Sequence, residues 1–274
     1  QKASIGNALI KKTMALYYDV PEDFEEMVYK GLVLQGYGIR HGIEAHRRNR
    51  PYCMGSLYWQ LNDSWPVVSW SSIDYYGNWK AMHYQGKRAY APILLNAFKE
   101  GEQLCIYTLS DELETVKNAT LQLKVMDFNG KVLSNKTVKG EVPANASVVY
   151  CKEEYASLAT DPSNTLLLMT LKNQKGQVLS EEIYYFKYPK EQNLPKAQIR
   201  YKVKQQDGKC EITLSTKQLA RDIFIEIPIQ GARYTDNFFD LLPGQTKKIT
   251  ITSDQIKKVE PVEFKIRHLK GITK

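Results

Sequence analysis

The run YWQLNDSWPVVSWSSIDYYGNWKAMHY, residues 58–84, holds all four tryptophans of the 274-residue chain: Trp59, Trp65, Trp70 and Trp79. Tyr58, Tyr75, Tyr76, Tyr84, Asn62, Asp63 and His83 stand among them. Aromatic faces interleaved with short polar side chains suit a sugar, whose C–H face needs an apolar platform while its hydroxyls need paired donors and acceptors. The competing reading is an aromatic core. By residue type alone Trp59 belongs inside a protein, and Asn62-Asp63-Ser64 is turn chemistry, which makes Asp63 an Asx-turn or capping residue.

On the N-terminal side the pattern predicts a long amphipathic helix from Pro21 to Arg48. Its first turn is acidic (Glu22, Asp23, Glu25, Glu26), and Phe24, Met27, Val28, Leu32, Ile39 and Ile43 recur at helical spacing. Pro51 interrupts, and Cys53 to Trp59 reads as a short buried strand leading into the aromatic loop. A second helix is expected from about Trp79 to Tyr90, ended by Pro92. Helix, strand, loop and helix is the grammar of an α/β unit.

After Pro92 the grammar becomes that of an antiparallel sandwich. Glu102 to Leu109, Thr120 to Asp127, Lys131 to Val138, Ser147 to Lys152, Thr165 to Lys172 and Val178 to Phe186 are strand-length runs. Asn129-Gly130 signals a type I′ hairpin turn and Lys175-Gly176 a looser one. Short strands with turns between them suit an immunoglobulin-like sandwich. Tyr188 to Pro195 reads as a linker. Beyond it Gln198 to Gln205, Cys210 to Thr216, Asp222 to Ile227, Lys247 to Ile251 and Val262 to His268, with turns at Asp207-Gly208 and Pro243-Gly244, predict a second, smaller sandwich.

Composition is that of a globular protein, 43% hydrophobic and 25% charged, which argues against both disorder and a membrane protein. No apolar run approaches the ~20 residues that span a bilayer. The net charge of +8 is spread along the chain, with only His46 to Arg50 clustered, at a predicted helix C-terminus where cations complement the dipole; this speaks against nucleic acid as a partner. Cys53, Cys105, Cys151 and Cys210 are too scattered for a zinc site, and His41 and His46 diverge on a helix. No G-x-S-x-G elbow, P-loop or Rossmann glycine pattern occurs, so no metal or cofactor is expected. Asp63, Asp74, Glu44 and His83 could serve as acid or base. Asn118, Asn135 and Asn145 head Asn-x-Ser/Thr triplets, as does Asn62 inside the aromatic run.

The stretch from Arg47 to Pro92, with its YWQLND and SWSSIDYYGNWK segments, closely resembles the end of the catalytic barrel of β-mannosidases of glycoside hydrolase family 2. LPKAQI (194–199) and TDNFFDLLPGQTKKI (235–249) resemble the C-terminal sandwich of that family. The resemblance covers nearly the whole chain. It implies a mainly β chain of two immunoglobulin-like β-sandwich domains, residues 92–190 and 191–274, preceded at 1–91 by an α/β remnant of the C-terminal end of a (β/α)8 barrel. It implies that Trp59 floors the subsite for the scissile mannose, that Asn62 and Asp63 support that wall or bond sugar hydroxyls, and that Trp65, Trp70, Tyr75 and Tyr76 line the rim. The Trp59–Gln60 peptide is expected to be cis in the parent enzyme and free to relax to trans here.

A retaining glycosidase needs two carboxylates ~5–5.5 Å apart. The family carries them as glutamates on earlier barrel strands, and neither motif occurs in this chain, so no catalytic residue is assigned. The expected partner is a β-mannoside. With most of its barrel neighbours missing, the remnant is expected to dock on the first sandwich, self-associate or stay loosely ordered. Two further readings stay open: a family 2 enzyme acting on a β-glucosaminide or β-galactoside, and a non-catalytic carbohydrate-binding or spacer module. For the latter the candidate aromatics are Tyr184, Tyr185, Phe186 and Tyr188, or Tyr234, Phe238 and Phe239.

Overall fold

The computed structural model describes residues 4–206, 208–256 and 262–273. Three helices, α1 (Gly6–Tyr17), α2 (Phe24–Arg48) and α3 (Ala81–Ala89), precede a succession of antiparallel strands. The chain divides into two compact units: 1–39, 58–86 and 194–274 form one, and 40–57 with 87–193 the other. Helix α2 contributes to both.

In the second of these units, β1 (Ile93–Glu100), β2 (Gln103–Ser110), β3 (Val116–Asp127), β4 (Val132–Val142), β5 (Ser147–Glu154), β6 (Thr165–Lys172) and β7 (Val178–Tyr185) make two sheets. Their orders are β1-β2-β5 and β4-β3-β6-β7. Alternation along the strands sends Leu104, Ile106, Leu121, Leu123, Val125, Leu167, Met169 and Leu171 into one core. The sequence pattern missed β1, whose first four residues are buried without alternation. At Asn129-Gly130 φ is positive only at Gly130 (96°), and Gly130 N–H donates to Asp127 O at 3.0 Å. The turn is therefore not the expected type I′, which needs positive φ at both residues.

The C-terminal half of α2 seats in this unit through charge rather than an apolar stripe. Arg40 bonds Glu44 (2.6 Å) and Glu182 (2.5 Å), and Glu44 accepts from Asn96 (2.9 Å). Arg47 is buried and donates to the Ala89 and Ala91 carbonyls and to Asp111. Arg48 lies 4.1 Å from the Phe98 ring centroid. The basic run after His46 thus does more than complement a helix dipole: its arginines satisfy carbonyls and carboxylates.

In the other unit, β8 (Ile199–Gln206), β9 (Lys209–Thr216), β10 (Ala220–Glu226), β11 (Arg233–Tyr234), β12 (Phe239–Leu241), β13 (Thr246–Thr252), β14 (Lys265–His268) and β15 (Gly271–Thr273) form sheets ordered β11-β13-β9-β8 and β12-β10-β14-β15. Gly208 has the expected positive φ of 74°, whereas Asp207 lies outside the described residues. Ile212, Leu214, Ile223, Ile225, Ile249, Ile251 and Ile266 fill the core between the sheets. A second core joins Met14 of α1 and Tyr18 just after it, Tyr29 and Val33 of α2 and Ala81 and Tyr84 of α3 to Phe238 and Leu269. Tyr29 Oη donates to Asp222 O at 2.6 Å, and Phe238 stacks on Phe224 with centroids 4.5 Å apart. Residues 4–39 therefore pack on the second sandwich, whereas 40–57 join the first, where docking of the remnant was one of the expectations.

The buried line of α2 here is Tyr29, Val33 and Gly36; of the expected apolar face Met27 and Leu32 pack against this core and Ile43 is buried, while Phe24 and Val28 are exposed. Gly36 explains the choice: a Cβ there would lie 3.2 Å from the Ala81 backbone, so glycine lets α2 and α3 approach closely. The motif around Phe238 is likewise structural. Asn237 bonds both the N–H and the C=O of Ile225 at 2.9 Å, turning Phe238 into the helix-side core and Phe239 into the sandwich.

Candidate functional site

Residues 53–59, expected as a short buried strand, form no strand, and Met54, Leu57 and Trp59 are exposed. A strand needs a paired strand for its backbone groups, and among the described residues 53–59 has no such ladder partner. Pairing begins only afterwards. Ser72 N–H donates to Gln60 O (3.0 Å), Ile73 N–H to Leu61 O (2.8 Å) and Asp63 N–H to Ile73 O (3.2 Å), a parallel bridge between Asn62 and Ile73. Ile73 then bridges antiparallel to Trp79, and Lys80 N–H donates to Ser72 O at 2.9 Å. The Trp59–Gln60 peptide is cis; it has not relaxed to trans.

Beneath this ribbon lies a polar interior. Asp63 is only 6% exposed, and its Oδ2 accepts from Ser71 Oγ (2.6 Å), Ser69 Oγ (2.9 Å) and Lys80 Nζ (3.2 Å). Burial opposes ionisation of this carboxyl, but the hydrogen bonds from Ser71, Ser69 and Lys80 outweigh it and hold the group below the ordinary carboxylate range. Asp63 is thus a buried bridging acceptor, not the Asx-turn or cap residue that its neighbours suggest. Ser72 is a second hub, with Oγ donating to Leu61 O (3.0 Å) and lying 3.2 Å from Tyr58 Oη and 3.1 Å from His83 Nδ1.

The next turn is closed by Asp74, whose carboxylate accepts from the backbone and side-chain N–H groups of Asn78, both at 2.9 Å. Asn78 Oδ1 in turn accepts from Gly231 N–H (2.9 Å), and Arg233 donates to Gly77 O while its guanidinium lies 5.3 Å from the Trp79 ring centroid. Gly231, at φ 69°, could not take a side chain easily, because a Cβ would lie 3.2 Å from Tyr76 O. The second sandwich therefore fixes the tip carrying Tyr75 and Tyr76, whose rings meet edge to face with centroids 5.2 Å apart.

The consequence is an inverted arrangement, with polar groups inside and rings outside. Trp59 is 72% exposed, and Trp65, Trp70, Tyr75, Tyr76 and Asn62 are exposed as well. Of the seven residues that the resemblance places at the sugar site, only Asp63 is withdrawn from solvent; Trp59 is not in the core where residue type alone would put it. Trp79 differs from the other tryptophans and packs with Tyr84 and His83. The residues missed are Lys80, Ser69, Ser71 and Ser72. One signal was available: Lys80 directly precedes α3, where the helix dipole disfavours a cation unless a carboxylate faces it.

The other carboxylates named as acid or base are structural. Glu44 is bonded by Arg40 and Asn96, and Asp74 by Asn78. Glu25 pairs with Lys265 and Arg267, and Glu26 with Lys30. Among the described residues no group of His, Cys, Asp and Glu could hold a metal ion, all four cysteines are free, and no helix is long and apolar enough to cross a membrane.

Both sandwiches are of a recognised kind. Residues 102–191 match the Mannosidase Ig/CBM-like domain and residues 194–272 the mannosidase Ig-fold domain. The chain is homologous to β-mannosidases. It is 29% identical over 265 residues to the β-mannosidase of Capra hircus, a match covering 89% of this chain and 30% of that protein. It is 28% identical over 273 residues to β-mannosidase A of Aspergillus terreus, covering 88% and 28%. The chain thus spans about 30% of the length of these curated relatives. The crystal structure of a β-D-mannosidase from Dictyoglomus thermophilum superposes with a TM-score of 0.82 at 29% identity, over 96% of this chain and 32% of that one. An exo-chitosanase from Amycolatopsis orientalis shares the fold alone, with a TM-score of 0.75 at 18% identity over 97% and 36%.

Proposed function

We propose that this chain is the C-terminal portion of a retaining exo-β-mannosidase, supplying one wall of the pocket for a terminal β-D-mannose residue together with two accessory sandwiches. The observation that carries the reading is the set of exposed rings, Trp59, Trp65, Trp70, Tyr75 and Tyr76, held over a buried polar frame. Exposed aromatic surface on a fixed backbone is what a sugar face requires and what a folding core would hide. In this reading residues 1–91 are the last helices and strand of a (β/α)8 barrel, followed by sandwiches at 92–190 and 191–274. The aromatic run then sits at the C-terminal rim of the barrel, where such folds build their sites. Trp59 floors the subsite, Asn62 reaches sugar hydroxyls, and Asp63 supports the wall from behind.

Hydrolysis with retention uses one carboxylate as nucleophile and another as acid/base. Neither of the family's glutamate motifs occurs in this chain, and in this reading both catalytic glutamates belong to the rest of the enzyme, while Glu25, Glu26 and Glu44 serve in ion pairs. The chain alone is silent and the whole protein active. The test is release of nitrophenol from a panel of aryl β-glycosides. The whole protein should prefer the β-mannoside over the β-glucosaminide and β-galactoside, with no release by the 274-residue chain; turnover by the chain, or another preferred sugar, contradicts the proposal.

A non-catalytic carbohydrate-binding role is favoured by the CBM-like match over residues 102–191. Its aromatic candidates are mostly spent on packing: Phe186, Phe238 and Phe239 are buried, Tyr184 stacks edge-on against Phe186, and only Tyr188 stands well exposed. Self-association belongs to the favoured reading, through apolar side chains left exposed at Leu9, Leu16 and Phe24.

A further inference from the structure

Lys80 has no counterpart in the reading so far. Its ammonium carries three N–H donors, and three acceptors surround it: Ser71 Oγ at 2.7 Å, Asp63 Oδ2 at 3.2 Å and Ser69 Oγ at 3.3 Å. The side chain is 11% exposed, which leaves the ammonium little contact with water. These partners come from both ends of one loop, Asp63 entering it and Ser69 and Ser71 leaving it. The residues between them, 64–70, have no regular hydrogen-bonded structure and present Trp65, Val68 and Trp70 to solvent. Gln35 Nε2 also reaches the loop, donating to Ser69 O at 3.3 Å. Lysine at the mouth of α3 opposes the helix dipole, so helix stability does not account for it, whereas closing the loop does.

We propose that Lys80 is a positioning residue for the substrate wall: by gathering Asp63, Ser69 and Ser71 it closes the base of loop 64–70 and fixes Trp65 and Trp70. The inference rests on the reading of this loop as a mannoside-binding wall. Lys80 touches no ligand itself. Loss of its charge frees the two rings to sample orientations that do not match the sugar, which weakens binding more than the chemical step.

The variants are Lys80→Met, Lys80→Arg and the double variant Asp63→Asn/Lys80→Met, which removes the unpaired buried carboxylate that could prevent the single variant from folding. In hydrogen exchange on this chain, the hydrogen-bonded amides at the loop base, Asp63, Ser71, Ser72 and Ile73, should exchange about tenfold faster in both Met variants, with the strands of both sandwiches unchanged and Lys80→Arg near wild type. In the whole protein the KM for an aryl β-mannoside should rise about tenfold with kcat within about twofold, and arginine should restore it. Unchanged exchange at Asp63, Ser71, Ser72 and Ile73 in the double variant overturns the proposal. If Trp70→Ala raises KM and neither Met variant does, the positioning role falls and the wall stands. If Trp70→Ala also leaves KM unchanged, the wall reading falls and takes this proposal with it.

Discussion

Strand β6 and the aromatic run are both rich in large apolar side chains, yet they spend them oppositely. In β6, Leu166, Leu167, Met169 and Leu171 are buried, and alternate residues interlock with β3 and β2 in a single core. In the part of the run from Tyr58 to Tyr76, Asp63, Ser71 and Ser72 are buried and most of the rings face outward. Apolar surface drives folding in the first case. In the second the fold is held by directed hydrogen bonds, and the apolar surface is left available.

That difference fixes what substitutions should do. Leu167→Ala should cost about 2–5 kcal/mol of stability through lost burial and a cavity, whereas Trp59→Ala should stay within about 0.5 kcal/mol; equilibrium denaturation of both variants compares the two regions directly. An equal loss would mean that Trp59 is part of a core after all. Gly231→Ala tests the hydrogen-bonded side of the contrast. The left-handed backbone at φ 69° and the close Tyr76 carbonyl predict a smaller cost of about 1–3 kcal/mol. Its signature should be local, with faster amide exchange around Gly77 and Asn78 and unchanged exchange in β3 and β6.

The sandwiches were legible because strand alternation and turn residues are local signals. Val178, Thr165 and Ser147 start strands where the pattern places them. β1 escaped because Ile93 to Asn96 is buried without alternation, and a run of that kind carries no period to read. At 53–59 the composition suggests a buried strand and the structure has none, because a strand also requires a partner that composition cannot supply. The aromatic array could be named from sequence, ring by ring. The frame beneath it could not, since Asp63, Ser71 and Lys80 are brought together by long-range pairing of 60–63 with 72–73 rather than by any local spacing. The same limit applied to α2: its buried line is set by the close approach of α3 at Gly36 and by ion pairs through Arg40, not by the widest apolar stripe.

The central claim is that the outward rings bind substrate while contributing nothing to catalysis or to the core, and Trp59 carries most of it. The most direct measurement is the steady-state kinetics of Trp59→Ala in the whole protein with an aryl β-mannoside, alongside its thermal midpoint. The account predicts a fall in kcat/KM of about a hundredfold with the fold intact. An unchanged kcat/KM in a stably folded variant would contradict it.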